Sequence, residues 1–328
     1  MKRDDMVLTA VGVVILGILV YLAFDGPQKF FTLFAAGVAL GAVYALVCLG
    51  FVVIYRATGI VNFAQVGMVV FGAFVTYNAV NTWGWNYWLS MLFAAAVLAV
   101  IGIGFERFAL RRMTGKPVFS IILLTIGLYL LLQSLIGAIW TNAKDTIPNP
   151  WIGKTVSIGS VNVLQVDVVT MILGAVVLAA FFVLFRYTKV GLGMRATAID
   201  QEAALAQGIS VPAIVALSWA IAGVVAVIAG TMLGSNATPK VGLGLGIAAV
   251  ALQALPAMVI GGLDSPVGAV VGGLIVGVSY EMAVGYQTQY IPSLGSNGFA
   301  DVLPYLLMVL VLLIRPSGLF GAREVQRV

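Results

Sequence analysis

Long apolar runs without a single charge constrain this chain more than any other feature. Met171 to Phe185 and Leu303 to Ile314 carry no charged residue and do not alternate between apolar and polar positions. A helix needs about 20 apolar residues to cross the hydrocarbon core of a bilayer. Backbone polar groups in lipid must be satisfied internally, which leaves helix bundles and closed barrels. Barrel strands alternate apolar and polar residues over about 10 positions, and these blocks do not. Composition agrees. Charged residues make up 9% of the 328-residue chain and hydrophobic ones 62%, whereas soluble domains carry about a quarter charged residues. The chain reads as an all-α polytopic membrane protein, one transmembrane domain over residues 1–328.

Ten apolar segments can be drawn, at approximately 6–24, 30–55, 64–80, 87–105, 117–139, 167–185, 212–233, 246–262, 267–285 and 299–314. The first begins with Lys2-Arg3 like a signal peptide, but its apolar core is too long and Leu22-Ala23-Phe24 offers no small-x-small cleavage site. It is read as a retained helix. Segment 246–262 is short and holds Gln253 and Pro256, after the glycine-rich Gly242-Leu243-Gly244-Leu245-Gly246. It reads as either a full span or a re-entrant one. Irregular backbone at membrane depth is tolerated only inside protein or along a watery cavity, so this is a candidate lining segment.

The basic residues orient the bundle, because cytoplasmic loops of membrane proteins are enriched in Lys and Arg. With ten alternating spans and both termini in the cytoplasm, 13 of the 17 Lys and Arg residues fall inside, including every arginine. Lys29, Lys144, Lys154 and Lys240 fall outside. Trp83, Trp85, Tyr87 and Trp88 then mark the outer interface, with Trp140 and Trp151 flanking the long outer loop.

Several chemistries are excluded. There is no histidine, so the commonest general base and metal ligand is missing. No GxxxxGK[ST] phosphate loop occurs. No metal-ligand cluster and no pair of intramembrane carboxylates is found, which argues against a membrane enzyme. The net charge of +5 fits basic loops rather than a nucleic-acid partner. The lone cysteine, Cys48, lies within an apolar block and is read as a packing residue.

Three pairs of glycines, Gly37/Gly41, Gly268/Gly272 and Gly273/Gly277, are spaced four apart on one helix face, where they let backbones approach closely. The loop between the sixth and seventh segments, residues 186–211, contains good helix formers over 195–207. Asp200 and Glu202 fall early and Gly208 sits where a C-terminal cap belongs. This predicts one short amphipathic helix outside the bilayer. Within the spans, Glu281 is the carboxylate read as lying near an outer end, too little for the ion site of a stand-alone secondary transporter. Asn62, Gln65, Gln133 and Gln253 are the polar candidates for a solute path.

At the residue level, Glu202-Ala203-Ala204-xxx-Gly208 resembles the EAA-xxx-G signature of ABC importer permeases. Four further stretches resemble the branched-chain amino-acid permease family of LivH/LivM type. They are Gly59-Ile-Val-Asn62-Phe63-Ala64-Gln65 with Gly72-Ala73-Phe74, Glu106-Arg107, Gly261-Gly262-Leu-Asp-Ser-Pro-Val-Gly268-Ala-Val-Val-Gly272-Gly273, and Arg315-Pro316-Ser-Gly318-Leu319-Phe320-Gly321. Where the family commonly continues from Asn-Phe-Ala with His or Gln, then Gly and Glu, this chain has Gln65, Val66 and Gly67, without the acid. The resemblance implies a type II-like permease subunit in a bacterial plasma membrane, forming half of a path for a small solute. It also implies a second permease subunit, two cytoplasmic ATPases docking on the loop around Arg195, Asp200, Glu202, Ala203, Ala204 and Gly208, and an extracytoplasmic solute-binding protein. This chain itself would bind no cofactor, ATP and Mg being used by the ATPases. The solute would be a branched-chain amino acid, a related amino acid, an amide or urea. A stand-alone transporter or channel for small polar solutes is the other reading.

Overall fold

Apolar blocks of this length have one way to satisfy their amides in lipid, and the chain takes it. The computed structural model describes Gly17, Tyr21, Leu22, Phe24 and residues 26–113, 115–140, 146–159, 161–235, 245–290 and 298–321. The segment drawn at 6–24 lies outside these residues but for four positions. The long helices are α1 (Pro27–Thr58), α2 (Ala64–Asn81), α3 (Tyr87–Phe108), α4 (Val118–Ile139) and α5 (Gln165–Tyr187). Short helices α6 (Lys189–Ile199) and α7 (Gln201–Ala206) follow, then α8 (Val211–Ser235), α9 (Leu245–Gly261), α10 (Pro266–Tyr290) and α11 (Gly298–Ile314). Among the described residues, six helices are long and apolar enough to cross a membrane, namely α1, α3, α4, α5, α8 and α10, while α9 and α11 are shorter apolar helices. Helix α9 runs unbroken through Pro256, so the helix is not interrupted there. Of the glycine-rich approach, residues 242–244 lie outside the described residues, and Leu245 and Gly246 begin α9 itself.

Helix α1 is the hub. In its most apolar window 89% of residues are buried, against 22% for α4 and α5. A helix that is apolar all round belongs inside, and one that shows a face to lipid belongs at the edge. The most extensive helix contact in the bundle is α1 on α10, and it is made of backbone. A Cβ on Gly37 would stand 2.7 Å from the Val278 Cα, one on Gly41 2.9 Å from the Leu274 Cα, and one on Gly273 2.5 Å from the Ala45 nitrogen. Gly277 lies against Gly41 itself. The other glycine pair of α10 serves a different neighbour: Gly268 meets Gly261 and Gly272 meets the Ala257 carbonyl, both on α9. Five residues turn a helix by about 140°, so the two pairs look in different directions. Helix α10 is thereby clamped between α1 and α9.

The helix ends sort by charge. Arg56, Arg107, Arg111, Arg112, Lys116, Arg186, Lys189, Arg195 and Arg315 lie at one end, and Lys29 and Lys154 at the other. At the arginine-rich end, Glu106 is buried and takes two bonds from Arg111, at 2.9 and 3.1 Å. At the opposite end a two-stranded antiparallel hairpin, β1 (Thr155–Ile158) and β2 (Val161–Leu164), precedes α5. The Ile147 amide donates to the Gly234 carbonyl, and the Asn149 side chain donates to the Ser235 carbonyl, tying this loop to α8. Trp151 packs edge-on against Tyr87 and Trp88, and Trp140 donates to Asn78.

The α1–α10 contact leaves no room for side chains. Gly277→Leu should therefore destabilise the protein by at least about 1–3 kcal/mol through overpacking. Gly127→Leu, where a Cβ meets nothing within 4 Å, should not. Thermal unfolding of both variants in detergent tests this; equal melting points would refute the account of the crossing.

Candidate functional site

The loop after α5 folds locally because two polar side chains and a glycine punctuate it. Thr188 begins α6, its hydroxyl accepting from the Gly191 amide at 3.1 Å. Asp200 ends it with extended backbone, and its carboxylate accepts from the Glu202 and Ala203 amides at 2.9 and 3.0 Å. An N-cap carboxylate satisfies orphan amides and favours a new helix start. The single helix expected over 195–207 is thus two helices broken at Asp200. Gly208 closes α7 with φ +81°. Its amide donates to Leu205, and the Ile209 amide donates to Ala204, the left-handed closure that glycine makes without steric cost.

In this arrangement Glu202, Ala203 and Gly208 are exposed and Ala204 is buried. Arg195 turns inward, donating to the Phe185 carbonyl with its guanidinium 5.5 Å from the Phe185 ring. Arg56 lies 5.0 Å from the same ring. Ile199 and Leu205 project outward from the pair of helices, 86% and 54% exposed. Beside them a cavity of about 300 Å³ opens between the end of α1 and the loop, lined by Arg56, Thr197, Asp200, Gln201 and Asp264 among others.

The four polar candidates within the bundle do not converge. Asn62 and Gln65 lie near the arginine-rich end, both fully buried. The Asn62 side chain accepts from the Ala64 amide at 3.0 Å, and Gln65 donates to the Ala222 carbonyl of α8 at 3.2 Å. Gln65 also fills the space that a Cβ at Gly50 of α1 would need. Gln133 is half-buried on α4 and donates to the Tyr129 hydroxyl, one turn away, at 3.3 Å. Gln253 sits mid-bundle on α9, where it accepts from the Tyr44 hydroxyl at 2.5 Å. Tyr280 of α10 donates to Asp301 of α11 at 3.1 Å and interacts with the Gln253 side chain.

This ladder, Tyr44–Gln253–Tyr280–Asp301, joins four helices and runs from the middle of the bundle to the lysine-bearing end. Sequence reasoning passed over most of it. Asp301 lies inside the last apolar segment and was available as a second intramembrane carboxylate beside Glu281, which is half-buried on α10. Tyr44 is a single tyrosine mid-way along the α1 block. Cys48, one turn along from Tyr44, donates to the Ala254 carbonyl at 3.1 Å. Among the described residues no group of His, Cys, Asp or Glu could hold a metal ion.

Residues 33–312 match the family described as branched-chain amino acid transport system / permease component. The chain belongs to this family. It is 28% identical over 308 residues to the high-affinity branched-chain amino acid transport system permease protein LivH of Escherichia coli K12, an alignment covering 89% of this chain and 96% of that one. The corresponding permease protein BraD of Pseudomonas aeruginosa is 27% identical, with the same coverage. A probable branched-chain amino acid transport permease protein LivH of Methanocaldococcus jannaschii is 27% identical over 84% of this chain and 88% of that one.

Two stretches that carry the permease resemblance prove to be one structural feature. The tail after α11 folds back on the α9–α10 turn, where Leu319 and Phe320 donate to the Ile260 and Gly261 carbonyls at 2.8 and 2.9 Å. Gly262 and Gly318 make this possible with φ +110° and +75°, and a Cβ on Gly318 would stand 2.6 Å from the Val259 carbonyl. The departure from the permease pattern at Gly67 also has a physical counterpart. A Cβ there would lie 3.2 Å from the Tyr129 Cα, so α4 occupies the place a longer side chain would take.

Two measurements check this geometry. Replacing Gln253 with Met leaves the buried Tyr44 hydroxyl without its acceptor and should cost about 1–3 kcal/mol of stability. No change in melting on Gln253→Met would refute the bond. Asp200→Ala should cost about 1 kcal/mol locally, read as faster hydrogen exchange at the amides of residues 202–206 with exchange in α8 unchanged.

Proposed function

We propose that this protein is the membrane-embedded permease subunit of an ATP-driven importer, forming half of a translocation path for branched-chain amino acids or a related amino acid, amide or urea. One observation carries the reading: the Glu202-Ala203-Ala204-xxx-Gly208 sequence is presented on an exposed, doubly capped helix at the arginine-rich end of a chain that belongs to a permease family. The excess of arginine at that end supports a cytoplasmic orientation in a bacterial plasma membrane. If the apolar segment at 6–24 is counted as a first span, ten spans would put both termini there.

On this reading two ATPase subunits grip the α6–α7 loop, with Ile199 and Leu205 offering the apolar contact and Glu202 the charge. A second permease subunit, identical or homologous, completes the path, and a solute-binding protein docks on the hairpin side. The ladder from Tyr44 to Asp301 is the best-formed polar surface to guide a zwitterion through the outer half. Asn62 and Gln65 occupy the inner half, where motion of α2 against α8 would uncover them. A ligand shifts such an equilibrium only by its differential affinity for the two states, and here ATP and the loaded binding protein supply that difference.

Three results decide the matter. Uptake into proteoliposomes holding the assembled complex should require ATP and survive collapse of ion gradients; uptake driven by a gradient alone would restore the stand-alone transporter. Gly208→Trp strains a left-handed position and projects bulk from the docking face, so it should abolish ATPase binding while leaving insertion intact. A cysteine placed at Asp200 should react with impermeant reagent only from the cytoplasmic side, and labelling from outside would reverse the orientation.

A further inference from the structure

Resting on the reading above, we infer that Gln201 is the positioning residue that hands movement of the ATPase-docking loop to α1, and through α1 to α10. The last carbonyls of a helix have no intrahelical donor. At the end of α1, the Gly59 amide takes the Tyr55 carbonyl, and the Ala57 carbonyl is taken by the Gln201 side chain at 3.0 Å. Gln201 is the first residue of α7, directly after the Asp200 cap. It therefore joins the docking helix to the hub helix across 144 residues of sequence.

The neighbouring contact is of a different kind. Arg56 and Arg195 share the Phe185 ring, and each repels the other's charge. That contact holds the loop near α1 without a directional bond to it. The directional bond is the one from Gln201. Beyond it, α1 carries displacement without slack, because its crossing with α10 is backbone on backbone at Gly37, Gly41, Gly273 and Gly277. Close-packed interiors transmit strain because they compress little. Both helices end their side of the chain in the Tyr44–Gln253–Tyr280–Asp301 ladder. The route from nucleotide to solute thus passes one exposed amide side chain.

The test uses the whole complex, permease with ATPases and loaded binding protein, in proteoliposomes, and reads ATPase retention, ATP hydrolysis and solute uptake separately. Gln201→Leu should leave ATPase retention unchanged and lower solute moved per ATP by roughly fivefold or more, the lower range of measured site-to-site coupling. Gln201→Arg keeps a long donor and should recover most of the loss. An unchanged ratio in Gln201→Leu overturns the inference, as does a leucine defect that arginine fails to relieve. Loss of ATPase retention in Gln201→Leu would make the residue part of the docking surface instead, which also overturns it. Failure of the unaltered chain to hold any ATPase would sink the importer reading itself, a separate result.

Discussion

The contact of α1 with α10 is the interaction on which the remaining architecture depends. Lipid tails are as apolar as the helix surfaces they bathe, so apolarity alone gives two helices no reason to pair. What distinguishes this pair is shape. Glycines facing each other bring the two backbones together and let them make dispersion contacts along several turns. With α10 fixed on α1, its second glycine face holds α9, and α9 in turn brings Gln253 to Tyr44. Changing the rotation of α10 by one residue would undo both faces together.

At the arginine-rich end, backbone hydrogen bonds join segments far apart in sequence. Arg111 and Glu106 form a salt bridge there at 2.9 Å. The tail is tied to the α9–α10 turn, and the end of α1 to α7, by amide and carbonyl groups. Such bonds are directional and geometry-bound.

Some of the functional reading was legible residue by residue and some was not. The EAA-xxx-G stretch and Gly208 could be read from sequence because capping and left-handed closure depend on a few adjacent residues. The break at Asp200 was missed because good helix formers continue on both sides and only the carboxylate's choice of amides decides between one helix and two. Gln65, Gln133 and Gln253 look alike in sequence. In the fold, Gln65 plugs a notch in α1, Gln133 bonds its own helix, and Gln253 joins a four-helix ladder. Asp301, whose value lies wholly in facing Tyr280, drew no notice from its local surroundings.

By itself the sequence determined that this chain is a membrane-embedded helical bundle of the branched-chain permease family, and where its long helices run. Those properties are local, since the length, apolarity and end chemistry of a segment decide whether it can cross lipid. Only the tertiary structure decided which helices touch, that the tail and the α9–α10 turn are one feature, and that Gln201 meets α1. Helix pairing in an apolar medium is settled by surface shape and relative rotation, and both emerge only when the neighbouring helix is in place.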